Sequence, residues 1–364
     1  MKTNKELIKP YFPHLDGLRF FAFLIVFISH AVLFILNGKL YFAQGDMGVS
    51  FFFVLSGFLI THIIYFEKET KKSINITNFY ARRILRIWPV YFMVLIGSII
   101  LSKLNLQNLP YEVGFKPEFL PWYFGFISNF YMIKIGGLSV ILAILWSISI
   151  EEQFYFVWPL VVSFVKEKFM PILLGLIIIG STIFRLINAD NYNILHYSTF
   201  SVLSDLALGC LVGFLTFKIP KSENKIKDLF SKKNTLVLYM SLIIATLIKM
   251  FPPQWLSGSN IYKAMLPLIF SSIFILIILE QNYSNNSFFK ASKIKSITYL
   301  GQISYGLYAY HAIAIAIVFS IFSTLNIKNG ILISIISFVF TTIISHLSYK
   351  YIEKKILFFK KFVQ

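Results

Sequence analysis

Apolar residues along this chain gather into long runs, which short polar segments separate. A helix needs about 20 apolar residues to cross the hydrocarbon core of a bilayer. Runs of this length lie at residues 15–37, 46–66, 87–104, 140–164, 170–188, 199–217, 234–251, 264–280, 298–323 and 330–350. The pattern predicts an all-α, polytopic transmembrane helical bundle of about ten helices that sits in a lipid bilayer.

The basic residues indicate how such a bundle is oriented. With the N-terminus inside, the cytoplasmic segments are 1–14, 67–86, 165–169, 218–233, 281–297 and 350–364, and they hold 25 of the 34 Lys and Arg residues. Lys and Arg are enriched in the cytoplasmic loops of membrane proteins. The charge distribution therefore predicts that both termini are cytoplasmic.

Composition supports the membrane class and excludes several others. The chain is 57% hydrophobic with a mean hydropathy of +0.72, which is far outside the range of soluble globular proteins. A net charge of +18 is typical of nucleic-acid binding, but the loop positions of the basic residues account for it, so we expect no nucleic-acid partner. Cys210 is the single cysteine, which excludes a disulfide framework and a cysteine-based metal site, and we expect no metal. We expect no cleavable signal peptide, because the first apolar run carries Arg19 and no small-residue cleavage pattern follows it.

Two segments between the spans have patterns of their own. The outer segment 105–139 contains prolines, aromatic residues and Gly136-Gly137, and residues 122–130 within it suggest a re-entrant or interfacial piece. Residues 75–88 alternate apolar and basic residues at helical spacing. We expect them to lie along the inner membrane surface and to lead into the third span.

Two ionisable residues of the first span share one side of its helix. Arg19 and His30 are eleven residues apart, which is about three whole helical turns and roughly 16 Å along the axis. Ionisable side chains inside a membrane are costly and normally face a polar cavity. Both residues are therefore candidates for function.

Further ionisable residues fall at the depth of His30. Counted from the cytoplasmic ends of their spans, His30, His311, Glu151 and Glu152 all lie roughly 20 Å deep. Glu151 and Glu152 are adjacent and point about 100° apart, so we expect only one of them to face His30. Taken alone, His311 is more often a hydrogen-bonded core histidine, but convergence at one depth favours a functional site.

A cluster of arginines precedes the third span. Arg82, Arg83 and Arg86 lie within five residues, whereas the other cytoplasmic loops use lysine. Basic residues at a membrane surface often serve topology alone. Arginine, however, binds phosphate through a planar fork of donors, and Arg83 and Arg86 are close enough to grip one phosphate group together. The cluster therefore favours a phosphate-bearing ligand.

Two glycines bracket part of the second span. Gly48 and Gly57 enclose residues 49–56, which include Ser50 and Ser56. Small residues in membrane helices admit either another helix or the chain of a ligand. We expect Gly48 and Gly57 to serve helix packing.

These motifs together resemble the acyltransferase 3 family of integral membrane acyltransferases, which includes bacterial O-acetyltransferases of envelope polysaccharides. The resemblance covers nearly the whole chain. It is carried by Leu15-Asp16-Gly17-Leu18-Arg19 with His30, by residues 48–58 and 79–91, by Trp146-Ser147-Ile148-Ser149-Ile150-Glu151-Glu152-Gln153-Phe154-Tyr155, by residues 303–308 with His311, and by residues 348–354. The resemblance implies a multi-pass protein of the bacterial inner (plasma) membrane.

The resemblance also implies an acyl-CoA donor, most often acetyl-CoA, in the cytoplasm. We hypothesise that Arg83 and Arg86, helped by Arg82, hold the CoA phosphates, while Arg19 lines the entry. The acceptor implied is a hydroxyl of an envelope glycan or a lipid-linked sugar that arrives from the outer side.

For catalysis, His30 either removes the proton of the acceptor hydroxyl or becomes acylated itself. Glu151 or Glu152 would fix the imidazole tautomer, as the acid of a catalytic triad does. Weaker candidates for substrate contact are His311, Ser149 and Tyr155.

The chain departs from the family pattern at two points. Ser50 stands where members often carry Asp, so the role of that carboxylate is absent or has moved to another residue such as Asp46. We expect residues 1–364 to form one membrane acyltransferase domain with no fused soluble domain.

Two hypotheses of another class stay open at this point. A proton-coupled transporter or flippase of an envelope precursor would also place His and Glu residues in mid-membrane. Such a carrier does not require an arginine cluster at one surface. A structural subunit without chemistry would leave Arg19 and His30 on one face unexplained.

Overall fold

Ten long helices form the protein in a computed structural model that describes residues 12–35, 44–103, 117–136, 140–218 and 227–363. They are α1 (Pro13–Ile35), α2 (Gly45–Lys71), α3 (Ile76–Lys103), α4 (Leu145–Phe164), α5 (Met170–Ile187), α6 (Thr199–Lys218), α7 (Lys232–Met250), α8 (Asn260–Tyr283), α9 (Ser304–Thr324) and α10 (Gly330–Ser348). Each is long and apolar enough to cross a membrane. The prediction of about ten spans is confirmed, and the chain is a multi-pass membrane protein.

Shorter helices connect these spans. They are Leu120–Phe124, Ser128–Ile135, Val140–Ala143, Tyr192–Tyr197, Gln254–Ser257, Lys295–Gln302 and Lys354–Phe358, with 3-10 turns at Pro117–Phe119, Glu167–Phe169, Ala291–Lys293 and Phe359–Val363 and a π-helical turn at Tyr349–Glu353. Among the described residues there is no strand. We call the end of the bundle where α1 begins the inner face and the end where α2 begins the outer face.

The second helix lies at the centre of the bundle. It packs against α1 and α6, while α1 also packs against α9 and α10. In the most apolar window of α2, 72% of the residues are buried, against 11% for α7, whose side chains mostly point away from the protein. Residues that line the bundle interior therefore come chiefly from α1, α2, α4, α6 and α9.

Glycines bring α2 close to its neighbours. A Cβ atom on Gly48 would lie 2.5 Å from the Ala22 carbonyl oxygen of α1, and one on Gly57 would lie 2.2 Å from the Leu206 carbonyl oxygen of α6. No side chain fits at these distances. The prediction that Gly48 and Gly57 serve helix packing is confirmed.

The segment before the third span is not a separate surface helix. Residues 75–88 were expected to lie along the membrane surface, but α3 runs without interruption from Ile76 to Lys103 and contains Pro89. At 1.5 Å per residue, this helix exceeds the roughly 30 Å of a hydrocarbon core. One continuous helix thus carries Arg83 and Arg86 to the lining of the bundle interior.

The described part of the outer segment folds against the bundle. Gln153 on α4 donates from Nε2 to the Phe126 carbonyl oxygen at 2.8 Å and to Asn129 Oδ1 at 2.9 Å. Tyr91 on α3 donates its hydroxyl to the Tyr123 carbonyl oxygen at 2.8 Å. Phe126 adopts a positive φ of 52° in the turn between the short helices Leu120–Phe124 and Ser128–Ile135. The remainder of the predicted loop 105–139, at 104–116 and 137–139, lies outside the described residues.

Candidate active site

A cavity of about 460 Å³ extends from the inner face into the bundle. We call it the inner cavity. Along α2 its lining runs from Val49 to Ile63, which corresponds to about 21 Å of helix. Its other walls come from α1, α3, α4, the start of α9 and the segment that follows α10. The lining is basic near the inner face and largely apolar, with hydroxyl groups, deeper in.

Three of the predicted arginines line this cavity. Arg19 donates to Asp16 Oδ1 at 2.7 Å. The guanidinium of Arg83 lies over the Tyr155 ring, 5.7 Å from its centroid, and its buried Nε has no hydrogen-bond partner. Among the described residues, Arg86 donates no hydrogen bond and forms no ion pair. Arg83 and Arg86 therefore present unused N–H donors to the cavity.

The third arginine of the cluster points elsewhere. Arg82 donates from Nη2 to Glu67 Oε2 at 2.6 Å and is not part of the cavity lining. Arg82 lies one residue before Arg83, so the two side chains point about 100° apart on the helix. The structure therefore places Arg82 apart from Arg83 and Arg86, with its guanidinium bound to α2.

The adjacent glutamates separate as their spacing predicts. Glu151 lines the inner cavity, where Arg19 and Arg83 lie close enough to interact with it electrostatically. Glu152 faces α3 and accepts from Trp88 Nε1 at 2.9 Å. One glutamate therefore belongs to the cavity, and the other ties α4 to α3.

The weaker candidates on α4 also separate. The Tyr155 hydroxyl lines the inner cavity and is hydrogen-bonded to Ser56 of α2. Ser149 is fully buried, shares a hydrogen bond of 2.8 Å with Ser128 and donates to the Leu145 carbonyl oxygen at 3.2 Å. Ser149 thus holds the outer segment against α4 and does not line the inner cavity.

Two histidines from distant parts of the sequence meet beyond the deep end of the inner cavity. His30 Nδ1 of α1 lies 2.7 Å from His311 Nε2 of α9. His311 Nδ1 in turn lies 2.5 Å from the Tyr308 carbonyl oxygen. Tyr308 lines the inner cavity, and its hydroxyl is 2.6 Å from Ser147 Oγ. Tyr308 therefore stands between the cavity and the histidine pair.

The contacts of this pair assign its protons. A backbone carbonyl only accepts hydrogen bonds, so His311 Nδ1 carries a hydrogen. In a neutral imidazole the other nitrogen is then an acceptor, and His311 Nε2 receives a hydrogen bond from His30 Nδ1–H. His30 Nε2 is consequently left with a free lone pair, which suits a base or a nucleophile.

The glutamates do not orient His30. Among the described residues, no hydrogen bond joins Glu151 or Glu152 to His30, whose partner is His311. The predicted contact between a glutamate and His30 is not formed in this structure, because equal depth along a helix does not determine which neighbour a side chain faces. The tautomer is set by a histidine and a backbone carbonyl instead.

A second, smaller cavity of about 90 Å³ lies toward the outer face. We call it the outer cavity. Its lining includes Ser50, Trp146, His196 and Asp205. Asp205 Oδ2 accepts from Ser50 Oγ at 2.7 Å, and Lys249 forms an ion pair with Asp46 at the same cavity. At Ser50, where family members often carry Asp, the carboxylate of Asp205 on α6 is thus within hydrogen-bond distance.

The sequence interpretation missed two buried ionisable residues. Arg185 of α5 is 1% exposed and Asp205 of α6 is 2% exposed. Arg185 donates to the Ala264 carbonyl oxygen and to Ser204 Oγ, both at 2.7 Å. Both charges fall within predicted spans, so the argument that singled out His30 also applied to them.

Comparison with known proteins identifies relatives that match nearly the whole chain. O-acetyltransferase OatA of Staphylococcus aureus (strain NCTC 8325 / PS 47) is 28% identical over 372 residues, covering 98% of this chain and 59% of that protein. Peptidoglycan O-acetyltransferase OatA of Listeria monocytogenes (serovar 1/2a) is 27% identical over 383 residues, covering 98% of this chain and 57% of that protein. The chain thus spans a little over half the length of these relatives.

No solved structure matches the chain at a significant level. The family profile described as an acyltransferase domain matches residues 12–350, which contain all ten long helices and the whole lining of the outer cavity. A match of this extent shows the family: the chain belongs to the acyltransferase 3 family.

Proposed function

We propose that this protein is a membrane O-acetyltransferase that takes an acetyl group from acetyl-CoA at the inner face and passes it to a hydroxyl of an envelope glycan. One observation carries the proposal. Arg83 and Arg86 present unused guanidinium donors to a cavity that ends at Tyr308, whose carbonyl group orients the His311–His30 pair. A phosphate-binding end and a basic nitrogen are thus joined by one cavity.

The basic end suits the phosphate groups of CoA. Arg83 and Arg86 are three residues apart on α3, so their side chains point to one side of the helix. Guanidinium groups bind phosphate oxygens through paired, charge-assisted hydrogen bonds. Arg19 lies further along the same cavity, where its ion pair with Asp16 holds it in place.

The apolar part of the cavity suits the arm that carries the thioester. From the arginines, the lining continues past Phe52 and Ile148 to Ser147 and Tyr308. The hydrogen bond between the last two closes the cavity at 2.6 Å. For the thioester carbonyl to approach His30, these two side chains must move apart.

The histidine pair supplies the chemistry. His30 Nε2 removes the proton of the acceptor hydroxyl, and the oxygen attacks the thioester carbonyl carbon. The carbon–sulfur bond breaks, an ester forms, and the proton passes to the CoA thiolate. Covalent transfer through an acyl-histidine uses the same lone pair. Both routes require His311 to hold a hydrogen on His30 Nδ1.

The names of the relatives support the acceptor class. Both are O-acetyltransferases, and the name of the Listeria protein gives peptidoglycan as its acceptor. We extend to this chain an envelope glycan or lipid-linked sugar as acceptor, the bacterial plasma membrane as location and cytoplasmic termini. The whole described bundle acts as one domain. The comparisons give no support to a transporter.

Acetyl-CoA turnover by the purified protein in detergent tests the proposal. We expect binding of acetyl-CoA and release of the CoA thiol by the wild type. His30→Ala should retain donor binding but lose about 10²-fold or more of the turnover, as expected for a general base. Arg86→Ala should weaken the binding of acetyl-CoA more than it lowers the turnover of bound acetyl-CoA.

Two results would contradict the proposal. Full turnover by His30→Ala would remove the catalytic role of the histidine. Absence of both binding and thiol release with acetyl-CoA in the wild type would remove the donor and favour proton-coupled transport.

A further inference from the structure

The outer cavity is separated from the inner cavity by a thin wall. Val49 and Phe53 of α2 line both cavities. On α4, Trp146 lines the outer cavity, and its neighbour Ser147 lines the inner one. The two cavities therefore approach the middle of the bundle from opposite faces, and a substrate in each would be divided only by these side chains.

The histidine pair lies beside this wall. Tyr308, which holds His311, lines the inner cavity. His196, which lines the outer cavity, is close enough to His30 for the two imidazoles to interact electrostatically. A hydroxyl that entered the outer cavity would thus come near the histidine pair from the outer face.

The outer cavity offers hydrogen-bonding groups that the protein leaves unused. Trp146 is 6% exposed, and its indole N–H has no partner among the described residues. Within the described ranges, Asp205 Oδ1 accepts from Ser271 at 2.7 Å and Ser204 at 3.3 Å, whereas Oδ2 accepts only from Ser50 at 2.7 Å. A carboxylate oxygen accepts two hydrogen bonds, so Asp205 Oδ2 has room for one more.

The charges and size of the outer cavity indicate the kind of ligand. Asp46 is neutralised by Lys249, and Arg185 lies within electrostatic reach of Asp205, so neither an anion nor a cation is favoured. A volume of about 90 Å³ does not hold a glycan strand. Aromatic walls with a few convergent donors and acceptors suit the hydroxyl-bearing edge of one neutral sugar.

We propose that the outer cavity is the acceptor site, in which Trp146 and Asp205 hold a sugar so that one hydroxyl faces His30. The inference rests on the proposed function and adds to it the place and the chemistry of acceptor recognition. The hydroxyl oxygen bonds to the acetyl carbon, the thioester carbon–sulfur bond breaks, and the hydroxyl proton ends on the CoA thiol. The sugar itself stays on the outer side of the wall formed by Val49 and Phe53.

Two variants test the site without touching the inner cavity. Val202 lines the outer cavity only, and Val202→Phe fills it. Trp146→Phe keeps an aromatic ring and removes the N–H. Matched controls are Val237→Phe, on an exposed position of α7, and Trp255→Phe, at an exposed position of the outer face.

Each variant is measured in two ways. Donor binding is the affinity for acetyl-CoA in detergent, and transfer is the acetate that mild alkali releases from washed envelopes of cells that express the variant. We expect Val202→Phe to lower envelope acetate about ten-fold or more and Trp146→Phe to lower it a few-fold, with donor affinity within about two-fold of wild type. Both controls should match the wild type.

The outcomes separate this inference from the proposed function. Envelope acetate at the wild-type level in both Val202→Phe and Trp146→Phe would overturn the acceptor site and leave the proposed function standing. Parallel loss of acetate and donor affinity in both variants would also overturn it, because the effect would then lie in the fold. Wild-type cells with no more envelope acetate than cells lacking the protein would overturn the proposed function itself.

Discussion

His30 Nδ1 and His311 Nε2 lie 2.7 Å apart although 281 residues separate them in the chain. The contact joins α1 to α9 at the level where the inner cavity ends. Since the Tyr308 carbonyl oxygen fixes the hydrogen on His311, it also fixes, through His311, the lone pair on His30 Nε2. The arrangement resembles a catalytic triad in which His311 and the Tyr308 carbonyl group take the place of the carboxylate that orients the histidine.

This relationship predicts different effects for two substitutions of His311. In His311→Leu nothing accepts from His30 Nδ1, so the reactive tautomer is no longer favoured, and we expect turnover to fall about 10²-fold or more. His311→Gln keeps an acceptor oxygen and should retain more activity than His311→Leu. Donor affinity should change little in both, and steady-state kinetics with acetyl-CoA measures the difference.

A buried histidine elsewhere provides the control. His62 is 4% exposed and shares a hydrogen bond with Thr216, and it lines neither cavity. The folded His62→Gln protein should therefore have the same turnover as the wild type. Equal turnover by His311→Leu and the wild type would show that His311 does not position His30.

The arginine cluster predicts a contrast between neighbours. Arg86→Gln removes donors that no described residue uses, so we expect acetyl-CoA affinity to fall about ten- to a hundred-fold, the usual effect of losing a charge-assisted hydrogen bond. Calorimetric titration with acetyl-CoA measures it. The loss should shrink at high salt, because the interaction is between charges.

Arg82→Gln is the matched control for this measurement. Arg82 is bound to Glu67 at 2.6 Å and lies outside the cavity lining. The variant should change acetyl-CoA affinity by less than about three-fold, and its effect should appear in thermal stability instead. If Arg82→Gln weakened binding as much as Arg86→Gln, the phosphate site would have to be placed elsewhere.

The sequence predicted the spans well because a membrane helix is a local property. Length and apolarity alone place the first span at 15–37 and the fifth at 170–188, against Pro13–Ile35 and Met170–Ile187 in the structure. Helical spacing also places Arg83 and Arg86 together, and both line the inner cavity. Such properties depend on one helix at a time.

The pairing of side chains between helices could not be predicted in the same way. Depth along a span placed His30, His311 and Glu151 at one level, but it does not say which helices are neighbours. His30 therefore received a glutamate as its expected partner, whereas α1 packs against α9 and brings His311 to it. Whether His30 meets a glutamate or His311 depends on which helices pack against α1, and no single span contains that information.

Buried Arg185 predicts a large effect on stability. Its guanidinium bridges three helices by donating to Ser201 and Ser204 of α6 and to the Ala264 carbonyl oxygen of α8. Arg185→Met would remove these hydrogen bonds and the positive charge near buried Asp205, and we expect a loss of about 3–5 kcal/mol, as for other broken buried charge networks. Thermal unfolding in detergent measures it.

An exposed charge gives the reference for Arg185→Met. Lys263 pairs with Asp190, whose side chain is 86% exposed, so Lys263→Met should change stability by no more than about 1 kcal/mol. Equal melting temperatures for the two variants would show that the Arg185 network does not stabilise the bundle.

The close contact between α2 and α6 predicts that a glycine at this contact is needed for stability. A Cβ atom on Gly209 would lie 2.3 Å from the Val54 carbonyl oxygen, so Gly209→Ala must push the helices apart, and we expect a loss of about 1–3 kcal/mol. Gly180→Ala is the same change on α5, where no atom lies within 4 Å. Because alanine favours a helix over glycine by up to about 1 kcal/mol, Gly180→Ala should be neutral or stabilising. Thermal unfolding of both variants in one detergent decides the point: a loss in Gly180→Ala as large as that in Gly209→Ala would assign the effect to glycine itself, and not to the close approach of α2 and α6.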